Sequence, residues 1–175
     1  MVRSGRSKDA RELARPALLS ALSLALLYLS SLVPGGRLGM VALAGLVPAA
    51  AVISGGIRGG LMCYAVAGIL GVLVVPDKGC ALLYLFFFGL YPVVKSLCER
   101  LPRWGELLAK LIFFNGMLSV FWFLLGELFL PFLPEPLVGT GMVYAVGNVA
   151  FLLYDFGFSK LIALYLHRVA PVLRK

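Results

Sequence analysis

Residues 16–33, PALLSALSLALLYLSSLV, form a run without a single charged side chain. At 1.5 Å per residue, about 20 apolar residues cross the ~30 Å hydrocarbon core of a bilayer, so this run reads as a transmembrane helix. Ala17, Ala21 and Ala25 recur every four residues along it and share one helical face, and Ala10 and Ala14 continue the stripe upstream. Small residues in such a row let a second helix come close, and close packing is a main source of helix association in lipid. The first helix is therefore expected to be both an anchor and a docking surface.

Five further apolar segments follow, at about residues 38–54, 61–75, 80–97, 107–130 and 139–166. Turn signals separate them: Pro34-Gly35-Gly36, the glycine run from Gly55 to Gly60, Pro76-Asp77-Lys78-Gly79, the linker Glu99 to Arg103, and a loop punctuated by Pro131, Pro134 and Pro136. The chain is 61% hydrophobic and only 14% charged, against roughly 25% charge in a soluble domain. The expectation is an all-α, polytopic membrane bundle of six helices. Six spans of ~20 residues use about 120 positions and leave only short loops. Residues 1–15 are then a basic N-terminal segment, 16–167 the transmembrane domain and 168–175 a basic tail. The N-terminal run lacks a small-residue cleavage site and reads as a retained helix, not a signal peptide.

Charge sets the expected orientation. With the N-terminus inside, Arg3, Arg6, Lys8, Arg11, Arg15, Arg58, Lys95, Arg100, Arg103, Lys110, Lys160, Arg168, Arg174 and Lys175 fall on the cytoplasmic side. Only Arg37 and Lys78 fall outside. The positive-inside rule then puts both termini in the cytoplasm of a multi-pass cell-membrane protein. Basic residues at helix ends also explain the net charge of +8 without nucleic acid. They orient the chain and meet anionic lipid headgroups.

Motifs for chemistry are missing. The run SGGIRGG lacks the Gly-Lys-Ser/Thr ending of a phosphate loop and reads as a tight turn between packed helices. Cys63, Cys80 and Cys98 form no CxxC pair and read as small packing residues, so no metal site, disulfide or cofactor is expected. His167 stands alone at the membrane edge, without a partner for hydrolytic catalysis. The expectation is a protein that is not an enzyme.

Polar residues within the apolar segments carry more information, because each is costly in lipid. Asn115 and Asn148 both fall near mid-membrane on adjacent antiparallel segments, with Tyr144, Trp122 and Glu127 toward the outer end. One reading makes Asn115, Trp122, Glu127, Tyr144 and Asn148 an outward-open pocket for a small solute. The other makes the asparagines partners of each other and pairs Asp155 with Lys110 or Lys160.

In size, helix number, termini and alanine-spaced first helix, the chain resembles the substrate-binding S components of energy-coupling factor transporters. The Gly-rich connection Gly55 to Gly60 adds to the likeness. The resemblance implies a subunit that captures a small, vitamin-like solute. Through Ala17, Ala21 and Ala25 it would dock a transmembrane coupling subunit driven by two cytoplasmic ATPases. The alternative is a six-helix membrane scaffold of an envelope-assembly or sporulation complex.

Overall fold

The computed structural model describes residues 3–124, 126 and 140–168. Every regular element among them is helical: α1 (Arg3–Ser30), a single 3-10 turn (Pro34–Gly36), α2 (Arg37–Val74), α3 (Lys78–Leu83), a π-helical turn (Tyr84–Phe88), α4 (Tyr91–Cys98), α5 (Arg103–Leu124) and α6 (Thr140–Arg168). Among the described residues, five helices are long and apolar enough to cross a membrane, with Lys78–Cys98 counting as one. The chain forms two compact units, Met1–Pro102 and Arg103–Lys175.

In the first unit α1 begins well before Pro16, the residue at which the apolar run read from the sequence starts. Proline inside a helix removes one backbone hydrogen bond. Here the loss falls at the charged end of the span, where water can satisfy the freed carbonyl. Pro16, Ser20, Ser23, Leu27 and Ser30 are buried, in steps of four and three residues that keep them on one face. The buried hydroxyls are all bonded: Ser20 donates to the Pro16 carbonyl at 2.7 Å and Ser30 to the Leu27 carbonyl at 2.6 Å. Ser23 lies 2.9 Å from the Ala44 carbonyl and 2.8 Å from the Tyr84 hydroxyl. With one proton, it serves both by donating to the carbonyl and accepting from the phenol. The polar face of α1 therefore points inward.

The break expected between two apolar segments at SGGIRGG narrows to one residue. Gly56, at φ 69° and ψ −172°, occupies a backbone region essentially reserved for glycine. The chain doubles back there. A Cβ on Gly60 would lie 3.5 Å from the Pro48 carbonyl oxygen, whereas twelve residues of straight helix would separate them by about 18 Å. The two arms of α2, residues 37–55 and 57–74, thus pack side by side. At the opposite end Arg37 bridges to Asp77 at 3.3 Å, and the Asp77 N–H donates to Ser31 Oγ at 3.4 Å.

Lys78–Cys98 is not a uniform helix. The Gly89 N–H donates to the Tyr84 carbonyl five residues back, at 2.8 Å, which widens the turn. The Tyr64 hydroxyl reaches across from α2 and donates to the Leu85 carbonyl at 2.8 Å. Gly45 allows the first arm of α2 to approach the same turn, since a Cβ there would meet Phe88 backbone oxygen at 2.5 Å. Cys63 is fully buried with Val47 and Ala51, against Leu19 and Leu26. Cys63, Cys80 and Cys98 are all buried.

The second unit is an antiparallel pair. α5 starts at Arg103, four residues before the apolar segment read from the sequence, and α6 runs to Arg168. Phe114 and Phe151 stack at 4.6 Å with planes 8° apart. Gly147 gives room to Leu118 and Phe114.

Candidate functional site

Three polar rungs cross between α5 and α6. At the charged end, Lys110 is 3% exposed and donates to both Asp155 oxygens, at 3.1 and 3.3 Å. It also pairs with Glu106 one turn back on its own helix. Midway, Asn115 Nδ2 donates to Asn148 Oδ1 at 2.8 Å and Asn148 Nδ2 donates back to Asn115 Oδ1 at 3.0 Å. The remaining amide protons go to helix carbonyls, from Asn115 to Leu111 at 2.9 Å and from Asn148 to Tyr144 at 2.8 Å. Toward the far end, Ser119 and Tyr144 hydroxyls lie 2.6 Å apart, and Ser119 Oγ is also 2.8 Å from the Asn115 carbonyl. Successive rungs are five and then four residues apart going up α5, and seven and then four going back along α6, the opposed order that antiparallel helices require.

The sequence-level candidates divide. Asn115, Asn148 and Tyr144 come together in this ladder, and Trp122 is half-buried on α5. Glu127 lies outside the described residues, as does the proline-punctuated loop. Of the two arrangements open for the asparagines, the amides adopt the reciprocal one. Each amide carries two N–H donors, and all of them are occupied, so this rung offers a solute no free donor. Asp155 takes Lys110 as its partner, while the Lys160 ammonium lies 5.4 Å from the Phe156 ring centroid. Ser119 and Glu106 were missed by sequence reasoning. Both carried a signal: each lies four residues from a residue already singled out, on the same helical face. Chemically, the ladder fastens two helices; no nucleophile with a base stands among its members.

The second candidate is α1. Ala17, Ala21 and Ala25 are all exposed, on the side away from the buried serines. Leu18, 72% exposed, flanks them. Among the described residues, no group of three His, Cys, Asp or Glu side chains could hold a metal ion. Compared with protein-family models, curated proteins and solved structures, the chain matches none of them.

Proposed function

We propose that this chain is a docking subunit of a cell-membrane complex, without catalytic activity of its own. In its most specific form it is the solute-capture component of an energy-coupling-factor-type importer. One observation carries the docking reading. Ala17, Ala21 and Ala25 are exposed on α1, while Ser20, Ser23 and Ser30 of the same helix are turned inward and satisfied. A smooth face of small side chains lets a partner helix approach to backbone distance. We further propose six crossings with both termini cytoplasmic, each arm of α2 forming one. A straight helix of 38 residues would be about 57 Å long, nearly twice the hydrocarbon thickness.

A second reading, a membrane scaffold, is favoured by the asparagine rung, whose donors are all used between the helices. Both readings share the docking face and differ in what is captured. Ala21→Phe should leave thermal stability in detergent near wild type, because the side chain points out of the unit, and should abolish co-purification of the membrane partner. Recovery of a coupling subunit with ATPases supports the importer; recovery of neither favours the scaffold. Retention of the partner by Ala21→Phe would refute docking through this face. Cysteines placed at Gly35 and Gly55, neither of which has a positive φ, in a background lacking the native three test the crossings. Gly35 should react with an impermeant reagent in intact cells, and Gly55 only after lysis.

A further inference from the structure

In an α-helix each carbonyl accepts from the N–H four residues on. Between α3 and α4 that ladder skips a step. The Gly89 N–H goes to the Tyr84 carbonyl at 2.8 Å, five residues back, and so leaves the Leu85 carbonyl, its partner in an α-helical register. Leu85 is served from outside the helix instead, by the Tyr64 hydroxyl of α2 at 2.8 Å. A carbonyl without a donor is costly in lipid, where no water can replace it. The phenol supplies what the widened turn takes away. Two neighbours keep that turn open. Pro92 has no N–H to give the Phe88 carbonyl, which weakens the α-helical ladder just downstream. Gly89 fits its place because it lacks a side chain: a Cβ there would lie 2.7 Å from the Tyr84 ring and 3.0 Å from the Tyr64 ring.

We propose that Lys78–Cys98 has two hydrogen-bond registers, and that the Tyr64 hydroxyl selects the π-turned one. Without that hydroxyl the Gly89 N–H moves to the Leu85 carbonyl, and the extra residue of the wide turn joins a regular helix. One residue of α-helix is about 100° of rotation. At its start α3 is tied down, where Asp77 accepts from the Cys80 N–H at 3.1 Å and pairs with Arg37 at 3.3 Å. The rotation therefore falls on α4, and each of its residues takes the direction its successor holds now. Leu97, 47% exposed, turns to the direction of buried Cys98, and Ser96 turns out in its place. Lys95 leaves its buried direction for that of half-buried Ser96. Tyr64 thus decides whether a cation is stored or presented at the end of this segment. The inference needs neither the docking face nor a captured solute.

The test compares Ser96→Cys with Leu97→Cys, each in the full chain with the native three cysteines replaced by alanine. Reaction rates with a water-soluble maleimide are measured in detergent. With Tyr64 intact, Leu97→Cys should react several-fold faster than Ser96→Cys. Tyr64→Phe, which deletes one oxygen and keeps the ring, should reverse that order. Gly89→Ala reaches the same register from the other side, because its methyl displaces the tyrosine rings and alanine favours a regular helix. A general loosening of the packing would speed both positions together and keep their order. Unchanged order in Tyr64→Phe overturns the proposal. Should Tyr64→Phe fail to unfold cooperatively on heating, Gly89→Ala decides in the same way. Failure of both to fold would mean that the segment has no second register to adopt, and overturns the proposal too.

Discussion

The two units solve the same problem, holding apolar helices together in lipid, by opposite means. Residues 1–102 rely on closeness. Glycines at 45, 60 and 68 stand where any Cβ would collide with a neighbouring helix or turn, and the buried hydroxyls of α1 mostly bond backbone carbonyls. Residues 103–175 rely on side-chain pairs, three polar rungs and a stacked phenylalanine pair. Lipid tails are as apolar as leucine, so neither unit gains a hydrophobic driving force between its helices once inserted. The first unit gains dispersion contact through small residues, and the second gains hydrogen bonds that lipid cannot replace. Close packing tolerates no added volume. Polar pairing tolerates no unmatched partner.

That contrast can be broken most forcefully at the charged rung. Lys110→Met leaves Glu106 and Asp155 facing each other in a mostly buried setting. Removing one member of a buried ion pair costs about 3–5 kcal/mol, which should appear as a large fall in unfolding temperature in detergent. Lys110→Met with Asp155→Leu should recover part of the loss. A single mutant as stable as wild type would mean that the rung adds nothing to the second unit.

In the first unit the matching test is volume. Gly45→Val puts a branched side chain where even a Cβ would lie 2.5 Å from the Phe88 oxygen. Overpacking of this kind costs about 1–3 kcal/mol, and backbone on the far side leaves little room to relax. Thermal unfolding in detergent reads the cost. The same substitution at Gly116 on α5, where a Cβ meets nothing within 4 Å, should cost far less. Equal losses at the two sites would erase the distinction between the units.

The asparagine rung sharpens the comparison with a smaller effect. Asn115→Leu and Asn148→Leu should each cost about 1–2 kcal/mol, since interhelical hydrogen bonds in membranes are individually modest and an unmatched amide adds a penalty. The double mutant should lose less than the sum, measured as a double-mutant cycle in thermal or denaturant unfolding. Strict additivity would mean that the two amides do not act as a pair, and would return both to candidacy as solute ligands.

Membrane character was legible in the sequence, because hydropathy and the spacing of turn residues are local properties that lipid makes decisive. The polar positions Asn115, Asn148, Tyr144, Lys110 and Asp155 were legible too, since each is conspicuous in an apolar run. Their pairing was not. Asp155 had two lysines within reach on periodicity alone, and only the antiparallel register of α5 and α6 brings Lys110 to it. The glycine run announced a turn, but the tertiary structure decided that Gly56 alone bends and that Gly60 then meets the first arm of α2. For α1 the sequence supplied an alanine stripe and a serine stripe on different faces without saying which one is buried. In water the serines would be expected outside. In this molecule they are inside, because their hydroxyls find partners in Pro16, Ala44, Tyr84 and Leu27, while alanine costs nothing against lipid or a neighbouring helix. Spacing along a chain fixes which residues share a face; only packing against the rest of the protein decides where that face points.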